Sequence, residues 1–420
     1  MRSKLSFKAL TILFDSLIRP IILYGAPIWT PNSTVGKLIS KSINDSSINS
    51  SNFLRQIARS PQEKIHLSFL KWALGVHRKA SNVGVWGETG RFPLIYQSIR
   101  FTLNYFKRIK QLDPSSFVAA ALREQKSLKL SWFNNVTQFM KLDEIYSLDH
   151  VTAYRLIQRK PHKHSTTSNK TISSNILSNT LPAKPLKSRK FRTYDVVNQL
   201  TTHFTQCWEN CKSMSPKLAY YHSCKTKFAC EPYLHYCKGF SRRYSTTKLR
   251  ISAHDLQIET GRYHNIPRNQ RICDWCKTSM DVEVVENEPH MLFHCDLYSE
   301  QRSKLIANLN KSPQISNTNQ PVPIPKFCLK SITMNLMSIL SPNVPNNHEV
   351  STSLNFHSHK DLNIKPNTPA FTSFEEKRSY VINCVCTFIL RCIEKRWKFT
   401  EDYRKSIAQA NSITFNVRRN

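Results

Sequence analysis

The stretch PLIYQSIRFTLNYFKRIKQL, residues 93–112, decides the fold class. Ile95, Ile99, Leu103 and Phe106 recur at three- and four-residue intervals, the spacing that puts side chains on one face of an α-helix. Arg100, Lys107, Arg108 and Lys110 fall on the opposite face. Pro93 suits a first helical turn, where its missing N–H is not needed. Such a helix wants an apolar core on one side and water, or a polyanion, on the other.

The same periodicity recurs on both sides of this stretch. Residues 9–29 place Leu10, Leu13, Phe14, Leu17 and Ile18 on one face; Pro20 restarts the helix, and Ile21, Ile22, Leu23, Tyr24 and Trp29 continue the apolar surface. In 62–74, Ile65, Phe69, Trp72 and Ala73 share a face, with Gly75 as the C-cap. Shorter helices are expected near 114–126 and 131–146. From 193 a helix carries Val196, Val197, Leu200, Phe204, Cys207 and Trp208. A last one, 374–397, carries Tyr380, Val381, Cys384, Phe388, Ile389, Cys392 and Trp397. The Ser/Asn-rich 31–58 reads as a loop, and Gly84, Gly87 and Gly90 as a turn.

The fold expected is therefore mostly α. It comprises a helical region over 1–154, a basic flexible linker over 155–192, and a second helical region over 193–307. A Pro/Asn/Ser-rich disordered stretch (308–372) and a C-terminal helix with a basic tail (373–420) complete it.

Lys and Arg total 61 against 28 Asp and Glu, a net charge of +33. An excess of this size points to a polyanionic partner, RNA or DNA, gripped largely through phosphates. Only 8 glycines argue against Gly-rich phosphate loops. No secretory signal is recognisable, and Asp15 and Arg19 interrupt the first apolar stretch, so neither a membrane partner nor a span is expected. The 12 cysteines then read as thiols or metal ligands in an intracellular compartment, nucleus or cytoplasm.

Four residues give that reading a focus. Cys273, Cys276, His290 and Cys295 are spaced Cys-x2-Cys-x13-His-x4-Cys, within a segment expected to fold as a knuckle over 249–302. Two cysteines two residues apart can grip one ion from a tight turn, and a His and a Cys can complete the tetrahedron of soft ligands that one structural Zn²⁺ prefers. A redox pair would need a thioredoxin-like context that is missing. His294 competes with Cys295 for the fourth place; Cys295 is favoured, because residues 278–289 lack the apolar residues of a two-Cys two-His finger. His203, Cys207 and Cys211 share a helix face and read as core thiols. Exposed aromatics near the knuckle, Trp275 and Tyr263, are candidates for stacking on unpaired bases.

Catalytic signatures are missing. There is no Tyr-x-Asp-Asp, Walker loop or His-Glu-x-x-His; Asp15, Glu88, Glu144, Asp255 and Glu259 are scattered and read as surface acids.

Three blocks resemble one family. They are LFDSLIRPIILYGAPIW (13–29), EKIHLSFLKWALGVHRKASNVGVWGETGRFPLIYQSIRFTLNYFKRI (63–109), and LRISAHDLQIETGRYHNIPRNQRICDWC (249–276) leading to HMLFHCDLYSEQR (290–302). Together they are similar to the carboxy-terminal part of the reverse transcriptase reading frame of non-LTR (LINE-type) retrotransposons. The resemblance implies a thumb-like helical region over residues 9–112, with Arg100, Lys107, Arg108 and Lys110 facing phosphates. It also implies a Cys-Cys-His-Cys region linked to nucleic-acid binding. The family's polymerase palm and endonuclease would lie upstream, so no intrinsic enzymatic activity is expected. A decayed fragment without selected function, or a module docking on a separate polymerase palm, are the alternatives.

Overall fold

The computed structural model describes residues 5–42, 49–140, 193–310 and 374–417. It is mostly α, as the periodicities require. Among the described residues, strand pairing is confined to two isolated antiparallel bridges, Thr89–Cys230 and Ile272–Val285. The expected linker, 155–192, lies outside the described residues. So does 308–372, apart from 308–310, which close the helix Ser299–Asn310.

Contacts divide the chain into two compact units, one of residues 1–24, 49–94 and 205–420 and one of 25–48 and 95–204. They interleave along the chain, whereas the sequence reading divides it serially. The reason is long-range packing: the helix Phe240–Arg250 lies against Pro61–Leu74 and against the C-terminal helix Phe374–Val417.

In the first unit, the chain enters through Phe7–Leu13, a wide π-turn Phe14–Ile18 and Arg19–Ile22. The buried side chains here are Phe7, Leu10 and Phe14; Leu13, Leu17 and Ile18 are exposed, which corrects the face expected from spacing. The π-turn shifts the register by one residue, so the stripe stops turning inward after Phe14. In Pro61–Leu74 the inward residues are His66, Leu67, Leu70, Ala73 and Leu74, while Ile65 and Trp72 face out. That face was misassigned because a buried polar pair, Glu63 and His66, occupies it. Glu63 is 1% exposed and accepts from His66 Nδ1 (3.0 Å), Trp86 Nε1 (2.7 Å) and the Leu94 amide (2.9 Å). Gly75 closes the helix at φ 81°, as expected.

Residues 82–89 are a helix, not a turn. Gly84 and Gly87 lie inside it because neighbours come too close for a side chain. A Cβ on Gly87 would meet the Trp208 ring at 2.7 Å, and one on Gly84 the Ile251 side chain at 3.0 Å. Residues 31–58 are corrected too: Thr34–Ser42 and Ser50–Arg59 are helices. The polar residues that suggested a loop include their caps. Asn49 Oδ1 accepts from the Ser51 amide at 2.8 Å and Ser33 Oγ from the Gly36 amide at 3.0 Å, while Phe53, Leu54 and Ile57 are buried at helical spacing.

A charge cluster sits in the core of this unit. Arg250, 1% exposed, reaches Glu88 (Nε to Oε1, 3.0 Å) and Glu231 (Nη2 to Oε2, 3.0 Å). Lys225 pairs with Glu231, and the Tyr233 hydroxyl donates to Glu88. Glu88 is 0% exposed, which overturns its reading as a surface acid; Glu259, at 4%, is likewise buried and paired with Lys217 at 3.4 Å. Asp15 is half-buried and pairs with Arg19 and Arg91. Glu144 lies outside the described residues.

In the second unit, the helix Leu94–Ile109 buries Ile95, Ile99, Leu103 and Phe106 as the pattern requires. Phe106 and Ile109 pack with Trp132 and Val136, and Trp132 Nε1 donates to the Pro27 carbonyl at 2.9 Å. The helix Phe117–Ser127 and a helix over 131–140 occupy the expected places.

Candidate metal centre

The centre is assembled from three short pieces. Cys273 is the N-cap residue of the helix Asp274–Met280, so Cys276 lies one turn on. Asp281 ends that helix in the left-handed region at φ 54°, and the chain reverses. It returns antiparallel: the Cys273 amide donates to the Val284 carbonyl at 2.8 Å and the Glu286 amide to that of Arg271 at 2.8 Å. Asn287 Oδ1 then accepts from the His290 amide at 2.8 Å, opening a π-turn over His290–His294. The turn closes with the Cys295 amide on the His290 carbonyl at 2.9 Å. The extra residue in the turn is what swings Cys295 back toward the two earlier cysteines.

The result is a buried cluster of Cys273, Cys276, His290 and Cys295 that can bind a metal ion, with all four ligand atoms within 4.8 Å of one another. Sγ of Cys273 and Cys295 are 4.0 Å apart, and Sγ of Cys276 and Cys295 3.8 Å. Cys276 Sγ lies 3.4 Å from His290 Nε2. Metal–sulfur bonds of about 2.3 Å at tetrahedral angles give sulfur–sulfur edges of about 3.8 Å, so the donor atoms already stand near the corners of a coordination polyhedron. His294 is exposed and is not among the four, which decides the fourth place for Cys295.

The electrostatics favour one anionic sulfur among the three. Cys273 is held down to about 4, because the Cys295 thiol donates to it and, more weakly, because His290 and the Cys276 amide also donate toward it. Cys295 is pushed far up by yielding in that same bond and by burial; Cys276 is raised to about 11, by burial first and by the Cys273 charge second. The Leu297 amide is aimed at Cys295. Three crowded thiols of this kind cannot all ionise alone, and a cation between them removes the conflict.

The surroundings hold the module in place through residues that carry no sequence signal. Glu286, 3% exposed, accepts from Arg396 Nη2 at 2.7 Å, across 110 positions, and from the Gln257 amide at 2.8 Å. Glu288 accepts from Ser252 Oγ and from His254 Nε2, both at 2.9 Å. The stretch 278–289, read as merely polar, thus contributes two buried acids whose partners come from elsewhere in the chain.

The other candidates are distributed as follows. Trp275 is half-buried, its ring edge-on to Phe399 with centroids 5.4 Å apart. Tyr263 is 59% exposed, with the Arg262 guanidinium 4.8 Å over its ring. Arg100, Lys107, Arg108 and Lys110 are all exposed, on the side of their helix opposite its buried residues; Lys110 Nζ rests 4.9 Å over the Phe106 ring. His203, Cys207 and Cys211 do not form a second centre, since one group of three or more potential ligands exists among the described residues. Among the described residues, no helix is long and apolar enough to cross a membrane.

No protein-family model, no curated protein and no solved structure matches this chain.

Proposed function

We propose that this chain binds RNA or DNA as the non-catalytic carboxy-terminal portion of a non-LTR retrotransposon reverse transcriptase, with one structural Zn²⁺ in the Cys273–Cys276–His290–Cys295 centre. The observation that carries the reading is that donor set: three thiols and one imidazole, buried at tetrahedral spacings, in a chain of net charge +33. Zinc suits this set because it is soft enough for thiolate and has no geometric demand beyond four ligands. With all four positions taken by protein, the ion would serve structure rather than catalysis. It would stabilise residues 249–302, since binding energy of a structural ion is folding energy.

Binding would then be largely electrostatic. Arg100, Lys107, Arg108 and Lys110 form an exposed row of cations that can lie along a phosphate backbone. Tyr263 and Arg262 offer a stacking platform beside the metal module. The chain alone is expected to polymerise nothing, because the resemblance covers only a region downstream of the family's palm.

The test is a salt titration of affinity for RNA and DNA oligonucleotides. Each phosphate contact contributes a slope of about −0.9 in log K against log salt on duplex DNA and about −0.7 on single strands. Reversing the four charges at Arg100, Lys107, Arg108 and Lys110 is expected to flatten the slope without unfolding the helix. Shallow slopes, equal in wild type and variant, would sink the reading.

One observation favours a second reading, docking on a reverse transcriptase palm supplied in trans. Ile12, Leu17, Ile21 and Tyr24 are 55%, 62%, 76% and 87% exposed on consecutive turns. An apolar stripe of this kind is characteristic of an interaction surface. Mutating Leu17 and Ile21 to Lys should abolish such docking and leave the salt slope unchanged.

A further inference from the structure

We propose that a cleft of about 750 Å³ beside the 61–74 helix holds one unpaired nucleotide of a bound strand, its phosphate on Lys64, Lys71 and Arg78 and its base against Trp72. This rests on the nucleic-acid reading above and adds a site that the sequence analysis did not contain.

The cleft has an apolar floor and a cationic rim. Leu67 and Val76 are buried beneath it; Lys64, His77 and Arg78 are exposed around it, and among the described residues no carboxylate lines it. Asp255, whose charge acts on His77, pairs with Lys248 at 3.6 Å. Its volume lies within the usual range for small-molecule sites, about 300–1,000 Å³, and exceeds what a lone phosphate needs.

Lys71 is the cation best placed to hold the phosphate. Its ammonium is partly buried and donates to the Arg78 carbonyl at 2.8 Å, which holds it across the mouth of the 75–80 loop. Among the described residues no carboxylate pairs with it. Burial and the nearby Lys217 charge pull it down to about 8. A cation so placed is desolvated without an anion, a penalty that an incoming phosphate would remove. The loop is already ordered for this. Val76 donates to the Lys71 carbonyl at 3.0 Å, and the Lys79 amide to His77 Nδ1 at 3.0 Å.

Two further features distinguish a nucleotide from an acidic side chain. Trp72, 44% exposed, offers the cleft an aromatic surface. Asn82 lines the cleft too, and its buried Oδ1 has no hydrogen-bond partner. An ionised phosphate or carboxylate cannot donate to it; a base amino group or a sugar hydroxyl can. A phosphate with a base and sugar therefore meets all three requirements, whereas a carboxylate meets one.

The experiment uses the full chain with zinc and compares a short single-stranded oligonucleotide with a blunt duplex by fluorescence anisotropy. Stacking of one base contributes about 1–3 kcal/mol, roughly 5- to 150-fold in affinity. Trp72→Leu is expected to lose about tenfold or more on the single strand and less than about twofold on the duplex, and Trp72→Phe to recover most of the loss. Lys71→Gln should reduce the single-strand salt slope by about 0.7. Affinities of both variants equal to wild type on the single strand, with wild type binding normally, would overturn the cleft and leave the nucleic-acid reading standing. If wild type binds neither substrate, both fall. Polyglutamate displacing the strand from wild type and from Trp72→Leu with equal ease would show a general acid-binding patch and also overturn the proposal.

Discussion

Replacing Glu88 by Ala should destabilise the protein more than almost any other single change of similar size. Glu88 is fully buried and accepts from Arg250 Nε at 3.0 and 3.1 Å and from the Tyr233 hydroxyl. Three cations, Arg250, Lys225 and Lys212, are 1%, 0% and 1% exposed in this region, against two buried carboxylates, Glu88 and Glu231. Lys212 finds its counter-charge in Glu209 at the surface, so Arg250 and Lys225 depend on the two buried acids. Removing Glu88 leaves both to share Glu231. Breaking a buried pair from one side costs about 3–5 kcal/mol, because the remaining charge stays desolvated. For a cooperative unit of this size that corresponds to a fall in Tm of roughly 6–20 °C. Thermal unfolding followed by circular dichroism reads it directly. Glu88→Gln keeps the shape and loses the charge, and should fall part of the way. A loss below about 1 kcal/mol for Glu88→Ala, the scale of an exposed ion pair, would refute the argument that the cluster is a desolvated unit.

Three further outcomes are expected. Cys295→Ser and Cys273→Ser should each lose the bound metal measured by elemental analysis, whereas His294→Ala should keep it; the opposite pattern at 294 and 295 would disprove the ligand assignment. Gly87→Ala should cost about 1–3 kcal/mol in urea unfolding, because its Cβ would meet the Trp208 ring at 2.7 Å in a packed core; an unchanged midpoint would mean that the ring has room to move. Lys71 is lowered in the fold, so the unfolded chain binds the extra proton between about 8 and the ordinary lysine value of 10.5. Stability attributable to this group therefore rises with pH across that window. Lys71→Met should be stabilising at neutral pH, with the gap to wild type closing as pH passes through the window; a constant gap would show that the ammonium is not penalised by its surroundings.

The sequence by itself determined the helical class and the four residues of the candidate metal-binding cluster, and the physical reason is the same for both. Each is a local pattern: Ile95, Ile99, Leu103 and Phe106 are bound to one face by the helix repeat, and Cys273 and Cys276 to one turn by their spacing. Gly75 was legible too, since a left-handed residue ending a helix is a one-residue requirement. What failed was whatever depended on partners far along the chain. Ser and Asn over 31–58 look like loop residues until Asn49 and Ser33 are seen capping helices whose buried faces need distant neighbours. Gly84 and Gly87 look like a turn until Trp208, Tyr221 and Ile251 are packed against them. Ile65 and Trp72 look inward because they are apolar, yet His66 lies inside, held by Glu63, itself bonded to Trp86 and Leu94. Only tertiary structure could decide that Glu88, Glu231 and Arg250 belong together, because each of these buried charges finds its counter-charge on a distant segment, and no local rule of spacing records that arrival.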